Sequence, residues 1–152
     1  MELVQCLRVE HRVFLQELSF IEKWKKKVRS DGDVRGLRQV VFCIADAVHK
    51  HSRIEEKYLF PKLRPYLGRE MSSVAVMEFE HGEIRKIIEI LRKDDRPGTI
   101  LLEASKFTAF LRDHLAKEER VLFPVAEKVL GEKELRVLAR KAGYRRARSW
   151  LC

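Results

Sequence analysis

His114-Leu115-Ala116-Lys117-Glu118-Glu119-Arg120-Val121-Leu122-Phe123-Pro124 has a counterpart earlier in the chain, His51-Ser52-Arg53-Ile54-Glu55-Glu56-Lys57-Tyr58-Leu59-Phe60-Pro61. His, Glu, Glu, Leu, Phe and Pro fall at the same offsets in both. A histidine and a glutamate four residues apart lie on one face of a helix, the spacing by which one helix offers two ligands to one metal. Two copies suggest two such helices facing each other.

The flanking sequence supplies the scaffold. From about Glu2 to Arg29, the residues Val4, Leu7, His11, Phe14, Leu18, Ile21 and Val28 follow helical spacing between charged positions. Ser30-Asp31-Gly32-Asp33 breaks that pattern, and Asp31 or Asp33 is the expected N-cap of the next helix. A second helix over about Val34–Leu67 has the seam Leu37, Val41, Ile44, Val48, His51, Glu55 and Tyr58. Pro61 should kink or loosen it, and Gly68 should end it. A third runs from about Glu70 or Ser72 to Lys93, with Val74, Met77, His81, Ile84, Ile88 and Leu91 in its seam. After the turn Asp94-Asp95-Arg96-Pro97-Gly98, Thr99 should cap a fourth helix over about Ile100–Val129. Its seam is Ala104, Phe107, Leu111, His114, Glu118, Val121 and Val125.

Nowhere does apolar alternation with period two persist, so no sheet is expected. Four amphipathic segments with short connections imply an all-α, antiparallel up-down-up-down four-helix bundle over residues 1–130. Residues 131–152 read as a short basic helix from Glu132 to Lys141 plus a tail. Trp150 and Leu151 are aperiodic and could pack on the body.

Composition sets the outer bounds. The chain has 152 residues, 45% hydrophobic and 36% charged, enough for one core with a heavily charged surface. No apolar run approaches a membrane span, and no signal peptide is expected at the N-terminus. Cys6, Cys43 and Cys152 are odd in number and far apart, which fits a reducing cytoplasm better than a disulfide framework. The net charge is +9, and +5 of it falls from Glu132 onward. Such a tail could engage nucleic acid or an anionic surface, but charge alone is a weak signal and a solvated tail is the plainer expectation.

Each seam holds one histidine, His11, His51, His81 or His114, and two seams also hold a glutamate, Glu55 or Glu118. One histidine on an apolar face is ordinary. Two carboxylates in the same core are not, because an unpaired buried carboxylate is costly. Two divalent cations would turn the six groups into ligands and offset the glutamates. Imidazole with carboxylate suits iron, although manganese or zinc would also fit. The two-helix units are related by sequence, for Glu10-His11 opens the first and Glu80-His81 the second. His49, two residues from His51, points to nearly the opposite side and has Arg112 at the matching offset, so it reads as a surface histidine.

The two His-x-x-x-Glu motifs with Leu-Phe-Pro, together with His11 and His81, resemble the hemerythrin-like (HHE cation-binding) domain family over roughly residues 1–130. The resemblance implies a non-haem di-iron centre with an oxo or hydroxo bridge, and Glu55 and Glu118 as bridging carboxylates. The same resemblance implies that His11 and His51 would serve one iron or be shared across the pair, as would His81 and His114, with which iron takes which left open. It also implies a small partner (O2, NO or peroxide) and a role as sensor, scavenger or iron handler. The alternatives are an enzyme reducing peroxide or NO, or an iron donor for iron–sulfur cluster repair with a redox or iron-acceptor protein as partner.

Two departures from the oxygen carriers are visible. Where they place a second histidine four residues after the third-helix histidine, this chain has Arg85; where they place an aspartate five residues after the fourth-helix histidine, it has Glu118 four after His114. Fewer protein ligands leave more open positions. The pattern is therefore more similar to cluster-repair and iron-sensing hemerythrin domains, and a cysteine-bearing N-terminal segment like that of many repair proteins is not expected. Tyr58 could donate a hydrogen bond at such a centre, but a plain core aromatic is the favoured reading. Phe14, Ile84, Phe107 and Leu111 are expected to line the ligand pocket.

Overall fold

The computed structural model describes residues 1–68 and 72–144. The helices are α1 (Leu3–Lys27), α2 (Asp31–Ile54), α3 (Phe60–Leu67), α4 (Ser73–Lys93), α5 (Pro97–Lys117) and α6 (Phe123–Lys141). One turn of π-helix, Glu55–Leu59, joins α2 to α3, and a second, Glu118–Leu122, joins α5 to α6. These elements form four rods, and the fold is an all-α four-helix bundle. None of the described helices is long and apolar enough to cross a membrane.

The rod ends are set locally. Ser30, rather than Asp31 or Asp33, caps α2: its hydroxyl accepts from the Asp33 N–H at 3.1 Å, and the Asp33 carboxylate accepts from the Ser30 N–H at 3.0 Å. The fourth rod starts at Pro97, three residues earlier than expected, because proline is pre-set for the first helical position. Thr99 turns its hydroxyl to Asp94 instead of capping. Gly36 lets Trp24 approach, since a Cβ there would meet the indole at 2.9 Å.

The expected seam residues from Val4 to Ile21, Leu37 to Glu55, Val74 to Leu91 and Ala104 to Glu118 are buried. Beyond the two glutamates the pattern shifts. Val121 is half exposed, Tyr58 and Val125 are only partly buried, and Leu59 and Leu122 take the interior places. The cause is the pair of π-turns. Proline at 61 or 124 has no N–H to donate and crowds the preceding turn. The Phe60 N–H reaches the Glu55 carbonyl, the Phe123 N–H reaches the Glu118 carbonyl, and one residue is added to each turn. The kink expected at Pro61 is thus taken up as a π-turn just ahead of it.

Two apolar clusters result. The larger one, toward the chain reversals at 28–30 and 94–96, includes Phe14, Leu18, Leu37, Val41, Phe107 and Leu111. The other packs Leu3, Leu7, Phe60, Leu63, Met77 and Phe123 with Leu135 and Leu138 from the end of α6. Gly131, at φ 70°, is the non-helical joint that turns this last part of α6 back onto the bundle. The expected basic tail from Arg145, including Trp150 and Leu151, lies outside the described residues.

Candidate metal centre

Between the two apolar clusters lies a polar layer. His11, His51, His81, His114, Glu55 and Glu118 all reach it, each no more than 3% exposed. Every rod contributes one histidine, and each glutamate is the first residue of a π-turn. In that place the carboxylate points inward while the chain ahead of the proline changes register. His11 Nε2 lies 3.1 Å from His51 Nε2 and 3.2 Å from Glu118 Oε2. Glu55 spans the layer, with Oε1 3.4 Å from His51 Nε2 and Oε2 3.4 Å from His81 Nε2. Glu118 spans it the other way, with Oε1 3.3 Å from His114 Nε2.

The six donors fall into two overlapping groups, His11, His51, Glu55, Glu118 and His81, His114, Glu55, Glu118. Within each, the donor atoms lie within 4.8 Å of one another. The geometry groups His11 with His51 and His81 with His114. His49 is exposed and stands outside both groups.

Four further carboxylates surround the layer; in the sequence two stand in the Glu-His pairs at the starts of the two units and two in the repeated motifs. The Nδ1–H of His51 donates to Glu10 at 2.7 Å, and that of His114 to Glu80 at 2.9 Å. Across the units, His81 Nδ1–H donates to Glu56 at 3.0 Å, and His11 Nδ1–H to Glu119 at 2.9 Å. Every imidazole is thereby fixed with Nδ1 outward and Nε2 inward, the arrangement that orients a metal-ligating histidine. The second Glu of each repeated motif supplies one of these supports. Phenylalanines brace the rings: Phe123 stacks on His11, Phe60 stacks on His81, and Phe14 meets His51 edge-on.

Both oxygens of Glu55 and both of Glu118 are buried without a hydrogen-bond partner, as is His81 Nε2. Uncompensated carboxylates in an apolar interior cost several kcal/mol, of order ~2–7 even for a neutral polar group. The donors fit a pair of divalent cations, which would neutralise them and use the inward lone pairs. Protons respond to the same field. Burial opposes the charged form of His51, but the Glu55 charge and the Glu10 hydrogen bond outweigh it and raise the pKa to about 10. For His114, burial is likewise outweighed by Glu118 and Glu80, with a pKa near 9. Burial pushes the Glu118 carboxyl up, yet the charge of His114 and the close approach of the His11 and His114 imidazoles hold it well below the carboxylate range.

A cavity of about 290 Å³ opens between α2 and α4 and reaches the layer at His81. Val48, Ile84 and Ile88 form apolar wall, while His49 and Arg85 also line it. Of the expected pocket residues, Ile84 lines the cavity; Phe14, Phe107 and Leu111 belong instead to the larger apolar cluster. Tyr58 packs beside the other cluster, with Lys57 over its ring.

The family model of the hemerythrin HHE cation binding domain matches residues 2–136. The chain belongs to that family. Among curated proteins it is similar to the iron-sulfur cluster repair protein YtfE of Escherichia coli O157:H7, 28% identical over 130 residues, covering 76% of this chain and 59% of the relative. YtfE of Salmonella schwarzengrund (strain CVM19633) is 27% identical with the same coverage. The chain thus spans little more than half the length of these relatives. No solved structure matches.

Proposed function

We propose that the chain is a non-haem di-iron protein. Its irons would be held by His11 and His51 at one position and by His81 and His114 at the other, with Glu55 and Glu118 shared. The observation that carries this reading is the set of unpartnered Glu55 and Glu118 oxygens facing four inward Nε2 atoms. Bound iron would supply redox chemistry and open coordination positions, as expected where two histidines and carboxylates leave a metal unsaturated. The chain's own groups do the rest. Glu10, Glu56, Glu80 and Glu119 orient the histidines, and the apolar clusters above and below exclude water. The cavity at His81 offers a small ligand such as O2, NO or peroxide a way in. Manganese or zinc would use the same donors.

The biological role we infer is that of sensor, scavenger or iron handler in a reducing cytoplasm, to which the free Cys6 and Cys43 are suited. A second reading, iron donation for iron–sulfur cluster repair to an acceptor protein, is favoured by the names of the similar repair proteins. Anaerobic purification, metal analysis and optical spectra on adding oxygen, nitric oxide and peroxide in turn test the first reading. An iron-dependent spectral response to at least one ligand is expected; iron-loaded protein silent to all three would refute ligand binding. Iron transfer to an apo iron–sulfur protein tests the second, and no transfer under reducing conditions would dismiss it.

A further inference from the structure

The four outer carboxylates look alike, but their own partners differ. Glu56 accepts from Arg85 at 3.1 Å and lies 3.8 Å from Arg53. Glu80 pairs with Lys117, which also pairs with Asp113. Glu119 accepts from Arg8 at 3.0 Å, and Arg8 also holds Glu127. Glu10 is the exception. Among the described residues its second partner is a neutral phenol, the Tyr144 O–H, which donates to Glu10 Oε1 at 2.7 Å while Oε2 accepts from His51.

Among the described residues, the surroundings of the two positions therefore carry different charge. Around His81 and His114, the carboxylates Glu56, Glu80 and Asp113 meet the cations Arg53, Arg85 and Lys117. Around His11 and His51, among the described residues, the carboxylates Glu10, Glu119 and Glu127 meet Arg8. Negative charge behind a ligating imidazole strengthens its donation and favours the more highly charged metal. We infer that Tyr144 is a positioning residue that aims Glu10 at His51 and makes the two metal positions inequivalent, with the His11/His51 position stabilising the higher oxidation state.

The geometry explains why a phenol serves there. The Glu10 side chain is about one-third exposed, so without an anchor it can turn toward water. A cation in the place of Tyr144 would hold it but cancel its charge. The hydroxyl fixes Oε1 and leaves the carboxylate anionic. Tyr144 follows Gly143, whose φ of 91° ends the last helix and lets the ring reach Glu10. The last turn of the described chain is thereby tied to the layer through Tyr144, Glu10 and His51.

This inference rests on the di-iron reading, and the test separates the two. The full chain is loaded with ⁵⁷Fe, iron is counted, and Mössbauer spectra are taken of the one-electron-oxidised form together with its reduction potential. A wild-type count below two irons per chain would overturn the di-iron reading and this inference with it. With two irons present, Tyr144→Phe is expected to keep both, shift the ferric doublet, and move the potential positive as Glu10 loosens. Glu10→Gln acts on the same link from the other side and should do the same more strongly. Lys117→Met, which strips the cation from Glu80, should shift the ferrous doublet instead. Two irons with Tyr144→Phe and Glu10→Gln spectra and potentials superposable on wild type would overturn the inference. So would a Tyr144→Phe change in the same doublet as Lys117→Met.

Discussion

The polar layer and the larger apolar cluster occupy neighbouring levels of one bundle and are built from the same four seams. They are held together by opposite means. In the apolar level, Leu18, Leu37, Phe107 and Leu111 have no accessible surface, and their burial alone stabilises them, at roughly 1.5–3 kcal/mol for each large side chain. Further along the same seams, His11, His51, His81 and His114 are almost as deeply buried, but they bring Glu55 and Glu118 with unpartnered oxygens. That level destabilises the fold until cations or protons enter it. Burial therefore says little about which level is structural; the unsatisfied oxygens separate them.

Substitutions should divide along the same line. Phe107→Ala, in the apolar level, is expected to cost about 3–5 kcal/mol of stability while leaving iron per chain unchanged. Chemical denaturation with metal analysis checks both halves. Should Phe107→Ala also empty the centre, the two levels would not be separable. His114→Ala and Glu118→Ala should behave in the converse way, losing iron, with the destabilisation relative to wild type shrinking once both proteins are chelated. Glu80→Gln, which weakens the support of His114, should keep the ligands but lower metal affinity by roughly 10–100-fold in a chelator competition.

pH sharpens the contrast further. His51 and His114 in the metal-free fold have pKa values of about 10 and 9, raised from 6.5. Raised values contribute stability that is complete below about pH 6.5 and lost as pH climbs through 9 to 10. The lowered Glu118 adds stability above its ordinary range near 4.5 that is lost in acid. Chelated protein should thus lose thermal stability between pH 6.5 and 10. Metal displaces the same protons, so affinity should rise over that range and the gap in Tm between loaded and chelated protein should widen. A gap constant with pH would contradict this linkage. The smallest effect belongs to His49→Ala, which should leave iron content and Tm unchanged because the ring is exposed.

The sequence was legible where periodicity and chemistry agree. The four seams, the six inward groups and the exposure of His49 follow from helical spacing and from the cost of buried carboxylates. The two π-turns were not legible, because the same spacing that found Glu55 and Glu118 continues smoothly to Tyr58 and Val121; only Pro61 and Pro124 signalled trouble, and their effect fell ahead of them. The outer carboxylates were half legible. Glu10 and Glu80 stood beside histidines, yet each supports the histidine of the neighbouring rod, a cross-rod contact that no single-helix pattern contains. Tyr144 was invisible for the same reason, being 134 residues from Glu10.

The central claim is that six buried groups form two metal positions. Its most direct test is an anaerobic titration of chelated protein with ferrous iron, followed by calorimetry and by iron retained after desalting. Two irons per chain are expected, falling to one or none in Glu55→Ala and Glu118→Ala. Retention of one iron or none by wild type, or of two by both variants, would contradict the claim.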